Sequence, residues 1–116
     1  MAEIVCHFDF ISPYAHLALE ALPATLQGLD CTVRYRPVLF AGLLKEHGQL
    51  GPAEIPSKRD WTYRQVLWLA DRHGIALRMP RHHPFNPLPL LRLAVASAES
   101  GEPSRAVCET IFRHAW

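Results

Sequence analysis

No two of the three cysteines, Cys6, Cys31 and Cys108, stand in C-x-x-C spacing, and their number is odd. That excludes a dithiol redox centre and a disulfide framework as organising features, and makes a reducing cytoplasm the expected compartment. No apolar run reaches the roughly 20 residues that cross a bilayer, and Met1-Ala2-Glu3 has no basic cluster of the kind that opens a secretory signal. Neither a membrane span nor membrane attachment is expected. A basic excess is missing too: the formal net charge is +1 with Lys and Arg scattered, so no nucleic-acid partner is expected. His82 and His83 are adjacent, which sends their side chains apart, and no partner has H-x-x-x-H spacing, so no metal site is expected either.

What the chain does have is apolar substance. Apolar residues make up 49% and charged residues 20% of 116, enough to offset chain entropy and bury one modest core. Ile4 to Phe10 alternates and is rich in branched and aromatic side chains, the pattern of a buried strand. Ser12-Pro13 follows with two helix-start signals in succession, and Ala15, Ala18, Leu19, Leu22 and Leu26 then give one apolar helix face until Gly28. Cys31, Val33 and Tyr35 alternate with Thr32, Arg34 and Arg36 up to Pro37. Strand, helix and strand at these lengths predict a β-α-β unit with parallel strands.

Beyond Pro37 the periodicity is helical. A short helix is expected over about Leu39 to His47, and another from a cap at Ser57 to Gly74, its apolar face built on Trp61, Leu67 and Trp68. Pro80, Pro84, Pro87 and Pro89 then enforce a rigid loop. Asn86-Pro87 starts a helix carrying Leu88, Leu91, Val95 and Ala98 to Gly101, and Pro103 opens a last one with Val107, Ile111 and Ala115 on one face. Two strands followed only by helices make an unfinished sheet, so the native protein is expected to continue past Trp116.

The segment Phe8-Asp9-Phe10-Ile11-Ser12-Pro13-Tyr14-Ala15 resembles the active-site turn of 2-hydroxychromene-2-carboxylate isomerases and kappa-class glutathione transferases, a branch of the DsbA-like thioredoxin superfamily. Further similarity lies in Pro37-Val38-Leu39, in Pro52-Ala53-Glu54-Ile55-Pro56 with Lys58-Arg59, in Phe85-Asn86-Pro87-Leu88 and in Phe112-Arg113-His114-Ala115-Trp116. The resemblance implies an α/β fold: a thioredoxin-like β-α-β unit over residues 1–37, then an all-helical insertion over 38–116, with the rest of the thioredoxin-like sheet absent. It implies glutathione as cofactor, a small aromatic carboxylate as substrate, room for a homodimer, and an isomerase of aromatic compound catabolism. The alternatives are a kappa-like glutathione transferase and a truncated, non-catalytic binding domain.

Ser12, at a helix N-terminus, stands where redox relatives carry a reactive cysteine. By this resemblance its hydroxyl holds the glutathione thiolate, with Pro13 beside it in the cofactor site; the plainer reading is that Ser12 only caps the helix. Lys45, Lys58, His83 and Asn86 are the candidate substrate contacts, with Arg59 as a further basic group. Against them stand solvated surface for the cations and a cap for Asn86. Trp61, Tyr63 and Trp68 are expected in the core or wall of the helical region, with stacking on an aromatic substrate as the other option.

Overall fold

A computed structural model describes residues 1–116. Strand β1 (Ala2–Phe8), helix α1 (Pro13–Thr25) and strand β2 (Cys31–Pro37) form the expected unit. The strands pair in parallel, from Ala2 opposite Cys31 to Phe8 opposite Pro37. Then come helix α2 (Phe40–Glu46), a 3-10 turn (Pro52–Glu54), α3 (Pro56–His73), α4 (Leu88–Ala96) and α5 (Arg105–Ala115). No helix is long and apolar enough to cross a membrane.

β1 ends two residues earlier than its apolar pattern predicts. Phe10 is fully buried, yet it lies in the turn that follows, so burial there comes from packing and not from strand pairing. Phe8, Phe10 and Phe112 form an aromatic triangle with centroid separations of 4.7 to 5.5 Å, within the range for favourable ring packing. The main core gathers these rings with Leu19, Tyr35, Leu91, Ala94, Cys108, Ile111 and Trp116, so α4 and α5 complete the interior that the β-α-β unit begins. The Trp116 indole N–H donates to the Phe10 carbonyl at 2.8 Å, pinning the end of α5 beneath the turn.

α3 packs on α1 with a face the sequence pattern misjudges. Val66 and Ala70, four residues apart, are buried against Leu17, whereas Trp61, Leu67 and Trp68 are 61%, 45% and 58% exposed. Small side chains let the two helices approach, and the large ones are left outside. Helix starts shift as well. Pro56 opens α3, putting Ser57 inside the first turn with Ile55 at the cap, and Ser104, not Pro103, caps α5 by accepting from the Val107 N–H at 3.3 Å. α4 stops at Ala96, short of Gly101.

Pro23 lies inside α1 and has no N–H for the Leu19 carbonyl. Arg105 fills that vacancy: its Nη2 donates to Leu19 O at 2.6 Å, its Nη1 to Tyr35 Oη at 3.2 Å and its Nε to Glu109 at 2.7 Å. At the other edge Glu102 accepts from Arg34 at 2.6 Å and from Arg36 at 2.8 Å, while Arg34 also reaches Glu3 at 2.9 Å. These bonds hold the Glu102 carboxyl down to about 2 and fasten the approach to α5 onto β2.

Candidate functional site

The turn between β1 and α1 is built from backbone bonds and one buried carboxylate. The Phe8 carbonyl accepts from the Val38 N–H at 2.8 Å, and the Asp9 carbonyl accepts from the Ser12 N–H at 3.1 Å, closing a tight turn. The Asp9 side chain is 4% exposed; its Oδ1 accepts from the Ile11 N–H at 3.2 Å and its Oδ2 from the Phe40 N–H at 2.8 Å. One carboxylate thus ties the turn to the first residue of α2. Burial raises its pKa above the ordinary aspartate value, against the lowering effect of its bonds to backbone N–H groups.

Ser12 caps α1 with extended dihedrals (φ −93°, ψ 116°), and Pro13 follows at the first helical position. Its Oγ accepts from the Ala15 N–H at 3.2 Å and its carbonyl from the His16 N–H at 3.2 Å. Pro13 has no donor, and the Tyr14 N–H has no acceptor within the chain. The capping bond uses an oxygen lone pair only, which leaves the Ser12 hydroxyl hydrogen to donate elsewhere. An unpaired N–H, an O–H and the positive helix end therefore converge at one point, an arrangement that stabilises a small anion.

A cavity of about 230 Å3 opens beside that point. Ile11, Pro13, Phe40, Ala41, Leu44 and Pro52 give it apolar walls, and Ser12, Glu54, Thr62 and His83 add polar groups. Glu54 Oε2 accepts from the Gly51 N–H at 2.8 Å. Gly51 itself is part of the wall, and a Cβ there would come within 3.1 Å of Leu44 Cδ1. The Tyr14 hydroxyl donates to Gln65 Oε1, joining the start of α1 to α3. His83 sits with Nε2 2.8 Å from the Ile11 carbonyl oxygen and Nδ1 2.6 Å from the Tyr63 hydroxyl. Burial raises the Tyr63 pKa, with Arg59 acting in the opposite direction.

Of the six residues singled out from sequence, Ser12, Pro13 and His83 come together around this cavity. Lys45 lies exposed in the last turn of α2 and Lys58 exposed in the first turn of α3, and neither lines it. Asn86 is exposed, and its Oδ1 accepts from the Leu88 N–H at 3.1 Å, the role of a cap. Arg59, half-buried, lies 3.9 Å from Asp60. Sequence reasoning passed over Asp9, although a lone carboxylate inside an apolar strand end is a recognisable signal. It had no means of pairing Tyr63 with His83, twenty positions away.

A family model for the DSBA-like thioredoxin domain matches residues 3–116. Among curated proteins, glutathione S-transferase kappa 2 of Caenorhabditis elegans is 29% identical over 77 residues, covering 66% of this chain and 34% of that protein. The 2-hydroxychromene-2-carboxylate isomerase of Pseudomonas putida is 25% identical over 114 residues, covering 95% of this chain and 54% of that protein. A solved structure of 2-hydroxychromene-2-carboxylate isomerase superposes with a TM-score of 0.78 at 23% identity, over 98% of this chain and 56% of that one, a likeness of fold. The chain thus spans between about a third and a little over half the length of these relatives.

Proposed function

We propose, from the premise that this chain belongs to the DSBA-like thioredoxin domain family, that it is the Ser12-bearing part of a glutathione-dependent isomerase of the 2-hydroxychromene-2-carboxylate type. Its relatives are isomerases or transferases, which supports an enzymatic role. The observation that carries the reading is that Ser12, capping α1 with its hydroxyl hydrogen left free to donate, and Tyr14, whose N–H has no acceptor in the chain, both line a cavity with mainly apolar walls. That donor set fits the sulfur of a thiolate. Glutathione, when bound, supplies a thiol nucleophile; the chain's part is to hold that sulfur ionised and to exclude water around it. Pro13 fixes the first turn so that the helix end keeps its aim. The apolar walls, Phe40 and Leu44 among them, receive the ring of the substrate. The division at residues 37 and 38, a cytoplasmic setting and a homodimer belong to the same proposal.

A kappa-like transferase is the second reading, and one observation favours it. The cavity has Glu54 in its lining and no Lys or Arg, which suits a neutral electrophile better than a carboxylate. Parallel assays with 2-hydroxychromene-2-carboxylate and a neutral chloronitrobenzene separate the two. The Ser12→Ala variant tests the shared premise. It should raise the pKa of bound glutathione and slow turnover about a hundredfold, the typical cost of losing one donor to an anion in a dry site. Glutathione affinity should hold within a few fold. A cap alone would cost about 1 kcal/mol of stability and leave turnover per folded molecule unchanged. Failure to bind glutathione at millimolar concentration would leave the third reading, a binding domain without catalysis.

A further inference from the structure

We propose that His83 is a positioning residue for the Ser12 turn, aligned by Tyr63, and not a contact of the substrate. A carbonyl oxygen can only accept, so the Nε2 that lies 2.8 Å from Ile11 O must carry a hydrogen. Nδ1 is bonded to the Tyr63 hydroxyl 2.6 Å away, and that hydroxyl also lies 3.3 Å from the His83 carbonyl oxygen, so Tyr63 holds His83 by ring and backbone together. Both ring nitrogens are engaged within the protein, leaving none for a ligand even though the ring forms part of the cavity wall. Phe85 and Trp116 pack on the same ring, with centroids 6.0 and 5.2 Å away, and fix its plane.

The consequence reaches Ser12 through one peptide group. The Ile11 carbonyl and the Ser12 N–H belong to the same planar unit. His83 grips its oxygen, and the Asp9 carbonyl grips its hydrogen at 3.1 Å. With the unit held at both ends, the dihedrals flanking it are set, and with them the direction in which Ser12 projects its side chain. Tyr63, on α3, and His83, in the proline-rich loop, therefore control the aim of the hydroxyl that caps α1, which neither touches. The link to thiolate chemistry rests on the functional reading above; the mechanical tie does not.

Amide hydrogen exchange and glutathione titration on the same variants test the inference. In His83→Phe, which retains an aromatic ring, the Ser12 amide should exchange about fivefold faster, the factor expected for one lost net hydrogen bond, while the Phe112 amide, in the core, reports any global change. The pKa of bound glutathione should rise and turnover fall with glutathione KM unchanged. His83→Gln, whose side-chain amide can still donate to Ile11 O, should restore both, and Tyr63→Phe should fall between. Unchanged Ser12 exchange in His83→Phe overturns the inference. So does a rise in substrate KM with thiol pKa intact, which would make His83 a substrate contact. If no variant and not the parent binds glutathione, the functional reading fails, and the exchange rates alone decide the tie.

Discussion

Asp9→Ala removes at once both carboxylate oxygens that accept from backbone N–H groups at the Ser12 turn. Hydrogen bonds to a charged partner contribute about 1.5–3 kcal/mol each, so the Ile11 and Phe40 N–H groups together lose about 3–6 kcal/mol gross. Two effects offset this. The carboxylate is buried, and its raised pKa shows that burial disfavours the charge more than the bonds favour it. Phe40 is also partly exposed, at 40%, and its N–H can turn to water. The net cost should be about 2–3 kcal/mol. Asp9→Asn keeps one acceptor and sheds the charge, and should cost about 1 kcal/mol. Urea denaturation at several pH values supplies the sharper assay, because the two terms differ in sign. A carboxyl whose folded pKa lies above its unfolded value contributes stability that is full below the unfolded pKa and is lost as pH rises through the folded one. The parent should therefore gain stability relative to Asp9→Asn as pH falls from neutral into the carboxylate range. The opposite trend would mean that the N–H bonds outweigh burial, and the account of this turn would be wrong.

Arg105→Met should destabilise the fold by about 2 kcal/mol, and in a Pro23→Ala background by about 1 kcal/mol less, since an alanine at that position restores an N–H to Leu19 O; strict additivity in the denaturation cycle would refute the vacancy argument. Glu102 has a depressed pKa of about 2, so its contribution is present above the ordinary glutamate range and is lost as pH falls toward that value. Glu102→Gln should flatten this acid limb of the stability curve, and added salt should shrink the difference. Burial pushes the Cys108 thiol up to about 11, with Cys6 nearby adding to the effect. Maleimide at neutral pH should accordingly leave Cys108 unmodified in the folded chain, and mass spectrometry showing labelling at the rate of the unfolded chain would contradict its placement.

Much of the first forty residues was legible because the governing rules are short-range. Alternation marked both strands, Ser12-Pro13 marked the start of α1 to the residue, and the parallel pairing followed from the helix between the strands. The similarity along the chain also pointed to the family. Where neighbours in sequence did not decide the outcome, the reading failed. Trp61 and Trp68 were expected in the core or wall of the helical region and are exposed instead, because the face of α3 that meets α1 is chosen by how closely two helices can approach, which favours Val66 and Ala70.

The candidate site shows the same split. Sequence alone determined that a serine would sit at a helix N-terminus after a strand, because a cap, a proline and an apolar alternation are all encoded within a few residues, although of that strand only Phe8 is buried. Only the tertiary structure decided what surrounds it. The Asp9 carboxylate reaches Phe40 across 31 positions, His83 reaches Ile11 across 72, and Lys45, Lys58 and Asn86 are left outside the cavity. Such pairings leave no periodic trace, since a hydrogen bond depends on where two atoms finish in space and not on how far apart they begin along the chain.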